Sequence, residues 1–364
     1  MDPQETFCPN LHCPARGQVG QGNITIHSYH PRRYKCQVCR RTFSARHGTP
    51  FYRRRTAEAT MIQVTTLVAH GCPIPAIEAA FGLQRRTVQS WVDAAGAHCE
   101  QIHQQHVLRP RDLGQVQADE VRVKTQRGVV WMALALMVST RLWLDDALSP
   151  TRDTSLIQHL VGLIHTCALP QPLLLVTDGL VTYVKVFRRA FRTPQRTGRR
   201  AAPRLVAWPT LAIGQVVKQY QRRRVVGVVR RLAQGTTELA QRLIERTQGG
   251  GVLNTAYIER LNATFRARLA TLVRRTRGAA RRQTRLHAEM YLIGTLYNFC
   301  TYHDSLTLRG RGRRTPAMAT GITDHCWSVA ELLHQRVPPP RWQPPKRRGR
   351  RSKALQQLID RWCS

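Results

Sequence analysis

The sequence predicts an α/β protein, with a mixed-sheet core preceded by a small cysteine-paired module and a short helical bundle. Three observations carry this. Residues 113–123 (LGQVQADEVRV) alternate with the period of a strand, and residues 129–138 (VVWMALALMV) and 141–149 (RLWLDDALS) follow as further strand-like runs. After them, helical repeats and apolar runs alternate, the pattern of helices laid on a sheet. Ahead of them lie four cysteines in two short-spaced pairs and three helix-length segments punctuated by Gly71 and Gly82. The expected division is 1–55, 56–106, 113–305 with a basic insertion at 188–253, and a basic, proline-rich tail at 306–364.

The first module is defined by Cys8-x4-Cys13 and Cys36-x2-Cys39, separated by a β-like NITIHSYH. Two thiol pairs at this spacing suit a tetrahedral structural zinc and a zinc ribbon. The competing readings are disulfides and unrelated buried thiols. The start, MDPQETFCPN, has neither a basic region nor an apolar run of a secretory signal, which argues against disulfides. In the second module, residues 59–69, a short segment from Pro75 and a third from Arg86 read as helices. Two short helices about a glycine turn match a helix-turn-helix, with Ile77, Phe81, Val88, Trp91 and Val92 as its core. Gln84, Arg85, Arg86 and Gln89 then face a DNA groove, where Arg and Gln read guanine and adenine edges. A plain three-helix linker is the alternative.

Within the core, an acid in mid-strand is costly unless a cation compensates it, which makes Asp119 a candidate metal ligand. Glu120, its neighbour, is expected on the opposite face. Residues 153–166 read as a crossover helix ended by Pro170 and Pro172. LLLVTDGLVTY then places Asp178 at the carboxyl end of a strand, where α/β sheets build sites. Its competing role is a helix N-cap. Residues 187–204 read as an arginine-dense exposed loop. Residues 212–231 read as a hairpin whose Arg222, Arg223, Arg224, Arg230 and Arg231 suit phosphate contact or a solvated edge. From Asn254 a long amphipathic helix carries Ile258, Leu261, Phe265, Leu269 and Leu272 on one stripe. Glu259, Asn262 and Arg266 fall on an adjoining stripe, which a solvated face would also explain.

Composition narrows the partners. The chain of 364 residues holds 57 Lys and Arg against 21 acids, formally +36, and only six of the 57 are lysine. Arginine forks bidentately onto phosphate, so a polyanion is implied, and the spread of cations through folded segments favours nucleic acid over membrane. No apolar run reaches the ~18 residues of a membrane span.

Asp119, Asp178 and Glu259 fall on the first strand, the fourth strand and a late helix, the layout of an RNase H-like core. With CPNLHC…YKCQVCRRTFS, QADEV, LLLVTDGLVTY, NTAYIERLNATFRARL and TPAMATGITDHCWS, the chain resembles the DDE transposases of the insertion-sequence-one type. In some of those relatives the DNA-binding part and the core lie in separate, overlapping reading frames, whereas here they are continuous. The resemblance implies a transposase that binds its element's ends and catalyses strand cleavage and transfer into target DNA. Asp119, Asp178 and Glu259 would hold two Mg²⁺ ions, with Arg266 and Asn262 on the DNA and a structural Zn²⁺ on the four cysteines. It further implies a homo-oligomer on DNA, cytoplasmic and nucleoid-associated, with no membrane partner. Two other readings stay open: a sequence-specific regulator with a non-catalytic core, and a structure-specific nuclease of the same fold.

Overall fold

The computed structural model describes residues 2–126, 128–195, 203–222, 224–269, 272, 283–308, 310, 312–345, 349 and 351–363. It divides into two compact units, Met1–Met61 with Leu333–Ser364, and Ile62–Leu332.

The first unit is built on a three-stranded antiparallel sheet, β1 (Ile24–Tyr29), β2 (Arg32–Cys36) and β3 (Thr42–Ser44). Its core is small: Ile24, Tyr34 and Phe43 pack with Cys8, Cys13 and Cys36. Trp362 completes that core, and Gln18 donates to its carbonyl at 2.9 Å. The segment expected as a separate basic tail is therefore divided, and residues from Leu333 onward belong with the cysteine module.

The second unit takes in the helical bundle as well as the sheet. Along the chain come α1 (Glu58–Ala69), whose first residues belong to the first unit, then α2 (Ile74–Phe81) and α3 (Arg85–His106). Gly82 closes α2 in the left-handed conformation at φ +63, so the chain turns within three residues before α3 starts. Ile77, Val88, Trp91 and Val92 are buried and Phe81 is half-buried. The 22 residues of α3 do more than a bundle helix needs. Its second half buries Ala95, Cys99, Ile102 and His103.

The sheet comprises β4 (Gln115–Thr125), β5 (Gly128–Met137), β6 (Leu142–Ser149), β7 (Leu173–Thr177), β10 (Leu211–Gln221) and β11 (Arg224–Gln234), ordered β11-β10-β7-β4-β5-β6. Strands β4, β7 and β10 run parallel, whereas β5, β6 and β11 enter through antiparallel pairs. Between β6 and β10 lie α4 (Thr154–Cys167), α5 (Val181–Ala190) and a two-stranded ribbon of β8 (Arg192–Gln195) and β9 (Arg204–Ala207). That ribbon replaces the loop expected there, and every residue of its strands is exposed. Next come α6 (Thr237–Gln248), α7 (Ala256–Arg268) and α8 (Gln283–Phe299). Helix α7 ends sooner than its repeat predicted, with Leu269 extended; residues 270–271 and 273–282 lie outside the described set.

Alternation in β7 shows how the layers form. Leu174 and Val176 pack with Leu239, Leu243 and Ile244 of α6, while Leu173 and Leu175 are buried on the other face. Burial on both faces explains why this strand reads as a continuous apolar run. A close approach joins α3 to α8: a Cβ added at Gly96 would lie 2.2 Å from the Ala288 carbonyl oxygen, so only glycine lets these backbones meet.

Where α3, β6 and α8 meet, the core contains charge. Asp145 is 1% exposed, and its Oδ1 accepts from the Tyr291 hydroxyl at 3.0 Å and the Asp146 N–H at 2.9 Å. Burial pushes Asp145 up to about 7 and Asp146 well above the usual carboxylate range. Burial also pushes His103 down to about 3, so it is neutral and donates through Nε2 to the Leu144 carbonyl at 2.7 Å. A carboxyl raised in the folded state favours folding while both states are protonated, below about pH 4, and that contribution is lost as pH climbs to about 7. Asp145→Asn is expected to flatten this pH dependence, raising stability at pH 8 relative to pH 4 by on the order of 3 kcal/mol. Urea midpoints at the two pH values check it, and an unchanged slope contradicts it.

Candidate functional site

Among the described residues, two clusters bring metal-binding side chains together, one in each unit. In the first, Cys8, Cys13, Cys36 and Cys39 place their sulfurs within 4.8 Å of one another. Cys8 and Cys39 are 3.6 Å apart, and Cys13 and Cys36 are 3.8 Å apart. A tetrahedral zinc with Zn–S bonds of ~2.3 Å needs sulfur–sulfur edges of about 3.8 Å. The set therefore fits zinc in both chemistry and size. Asn23 supports it, its Nδ2 donating to the Cys36 sulfur at 3.8 Å. Without metal, the Cys8 thiol beside Cys36 helps pull Cys36 down to about 4, while burial pushes Cys13 up to about 12.

The second cluster is assembled by the sheet. Strand β7 pairs with β4 only as far as Gln117↔Val176, so Asp178 follows just beyond the last paired rung. Asp119 lies two residues further along β4 than Gln117 and faces α7, where Asn262 Nδ2 donates to its Oδ2 at 2.8 Å. Gln117 sets the position of α7. Its Nε2 donates to the Asn254 carbonyl at 2.7 Å, and its Oε1 accepts the Ile258 N–H at 3.0 Å. Glu259, next on the helix, reaches the same cleft of about 630 Å³ as Asp119 and Asp178.

Three findings differ from the expectations. Glu120, expected away from the site, has a carboxylate oxygen within 4.8 Å of ligand oxygens of both Asp119 and Asp178. Its side chain is buried against Arg152 and does not line the cleft that Asp119, Asp178 and Glu259 share. Asn262, expected against DNA, is 2% exposed, and its amide is spent on Asp119. Asp178, weighed as a helix N-cap, holds the turn instead: its Oδ1 accepts the Leu180 N–H at 2.9 Å, one residue before α5.

The sequence reading missed the cations that balance this cluster. Arg152 Nη2 lies 2.6 Å from Glu120 Oε2 and 3.5 Å from Asp178 Oδ2, and Lys218 Nζ lies 2.6 Å from Glu259 Oε1. Lys218 is one of only six lysines, the one signal that could have drawn attention to it. Burial, then the charges of Glu120, Asp178 and Glu259, pushes Asp119 up to about 6. For Glu259, burial opposes ionisation, but hydrogen bonds from Lys218 and Thr255 outweigh it and bring it below its ordinary value. The cluster fits a hard cation on its own chemistry: Asp119, Glu120 and Asp178 bring carboxylate oxygens within 4.8 Å of one another.

The expected DNA-facing residues are spread over separate elements. Gln84, Arg85 and Arg86 are exposed at the start of α3, with Gln89 half-buried a turn later; Arg85 pairs with Glu78 at 3.5 Å. Arg222 and Arg224 are exposed at the tip of the β10–β11 hairpin; Arg223 lies outside the described residues. Arg266 lines the acidic cleft. Among the described residues, no helix is long and apolar enough to cross a membrane. No protein-family model matches the sequence, and comparison with curated proteins returns no match.

Proposed function

We propose that the chain is a DNA transposase of the insertion-sequence-one type, with an RNase H-like core in which Asp119, Asp178 and Glu259 form a divalent-metal site for phosphodiester cleavage and strand transfer. The observation that supports this best is the convergence, in one cleft, of acids from the first and fourth strands of a mixed sheet and from α7, ringed by Arg152, Lys218 and Arg266. Carboxylates hold hard cations, and the basic rim holds the phosphates that those cations act on. Two Mg²⁺ ions bound there would supply stabilisation of the attacking and departing oxygens.

The chain's own residues do the rest. Asn262 holds Asp119 in place from α7, and Gln117 fixes the start of that helix. Glu120 joins the acids as a fourth carboxylate, tied to the loop before α4 through Arg152. Arg266 and Lys218 neutralise the phosphates flanking the scissile bond, and Lys218 must exchange Glu259 for phosphate to do so. Gln84, Arg85, Arg86 and Gln89 read base edges, while the hairpin arginines track the backbone. The four cysteines hold a structural zinc. The protein works as a cytoplasmic, nucleoid-associated homo-oligomer, on element ends and target DNA.

The test uses a plasmid carrying the DNA that flanks the coding region. Mg²⁺ is expected to support cleavage at inverted repeats in that DNA, leaving 3′-hydroxyl ends, and EDTA to stop it. Tight binding to the same repeats with no cleavage under any divalent ion would instead mark a regulator.

A further inference from the structure

Beside the cysteine cluster, the first unit carries an open groove of about 790 Å³, reached over the turn between β1 and β2. Arg32, Arg33, Arg53 and Arg54 line it, with Tyr29 and Tyr52 among them. A smaller hollow of about 260 Å³ shares Arg33, Ser44 and Tyr52 with it and is lined also by Arg41 and Cys8. The groove lining includes a single carboxylate, Glu58, and this is spent on Arg46 at 2.6 Å and on His334 at 3.0 Å. Met1–Met61 holds ten Lys and Arg against three acids, so this segment is strongly cationic. Burial, then the charges of Arg336 and Arg53, holds His47 below its ordinary value.

Charge alone calls for a polyanion, and the rings narrow its class. Tyr29 is 66% exposed at the end of β1, an aromatic surface that the unit's own core does not cover. Tyr52 forms the wall, with the Arg53 guanidinium 5.3 Å from its ring centre and His47 4.9 Å away. Bases in a duplex are already stacked on one another and cannot use such a ring. An unpaired base can, while neighbouring guanidiniums take its phosphates.

We propose that this groove binds single-stranded DNA, with Tyr29 as a stacking platform and Arg33 as a phosphate clamp. The site lies wholly within the first unit, so it is independent of any chemistry at Asp119 and Asp178. A transposase could use it to hold strand ends exposed by cleavage, but binding does not require that activity.

The experiment measures binding of the full-length chain to dye-labelled oligothymidylate by fluorescence anisotropy, beside a duplex of the same length and inorganic polyphosphate as a base-free competitor. Tyr29→Ala is expected to weaken oligothymidylate binding roughly 5- to 150-fold, the range of one base–aromatic stack, and to leave duplex and polyphosphate binding unchanged. Tyr29→Phe keeps the ring and should restore the affinity. Arg33→Gln should weaken oligothymidylate and polyphosphate together and reduce the single-strand salt slope by about 0.7. Tyr29 is exposed, so zinc content equal to that of the unaltered chain confirms that the unit is intact. Oligothymidylate affinity unchanged in Tyr29→Ala, or lost equally for duplex and single strand, overturns the proposal.

Discussion

Asp119→Ala and Asp178→Ala, made separately, are each expected to abolish Mg²⁺-dependent cleavage of element-end DNA, and Glu259→Ala to do the same. Residues that act as one unit give losses that do not add, so the triple change should be scarcely worse than any single one. DNA binding should survive in all of them, because Gln84, Arg85 and Arg86 on α3 and the hairpin arginines are untouched. Glu120→Gln occupies a middle position. It removes one carboxylate charge near Asp119 and Asp178 and leaves Arg152 without its shortest partner, so weaker Mg²⁺ dependence and a partial loss of rate are expected. Lys218→Met should act in the opposite sense on metal affinity, because it frees Glu259 of its 2.6 Å partner, and should weaken DNA binding. Cleavage rates across a Mg²⁺ series check all of these together. Normal cleavage by Asp178→Ala with none by Glu120→Gln would move the site onto the other face of β4.

Zinc removal should have an effect of similar size on folding. The hydrophobic cluster of the first unit consists of eight buried residues, three of them the cysteines Cys8, Cys13 and Cys36. A core of that size does not offset the entropy of ordering its loops, and structural zinc sites contribute ~10–16 kcal/mol of apparent binding energy. Cys36→Ser is therefore expected to unfold Met1–Met61 and release Trp362, seen as a red shift and quenching of tryptophan emission and as rapid proteolysis of the first 61 residues. The sheet of the second unit should stay folded. One zinc per chain by elemental analysis, lost in Cys36→Ser, accompanies this result. A metal-free chain with its first unit protected from protease contradicts it.

Much of the architecture was legible because its signals are local. Cysteine spacing located the four-cysteine cluster, and alternation or continuous apolarity located β4, β5, β6 and β7. Asp119 was conspicuous as an acid within a strand and Asp178 as one just past a strand end, although Asp145 and Asp146 show that a buried strand can hold acids away from the acidic cleft. What escaped detection depends on where separate elements stop and meet. Alternation set Glu120 apart from Asp119, yet the fold brings carboxylate oxygens of both within 4.8 Å of Asp178, past the end of β7 at Thr177. Helical spacing placed Asn262 beside Glu259, yet the seating of α7 on β4 decides that Asn262 is buried and Glu259 exposed. Lys218 and Glu259 are 41 residues apart, and Trp362 lies 344 residues from the Gln18 it contacts. No periodicity in a single sequence reports such pairs.

The account turns on Asp119, Asp178 and Glu259 being one cation site, and divalent-ion binding tests that without any assay of DNA. Mn²⁺ titration of the full-length chain, followed by electron paramagnetic resonance at pH 7.5, is expected to show saturable binding that Mg²⁺ displaces. Asp119→Asn, Asp178→Asn and Glu259→Gln should each weaken it at least tenfold, while Asp145→Asn, buried elsewhere in the core, leaves it unchanged. Unaltered Mn²⁺ affinity in all three carboxylate variants would contradict the account.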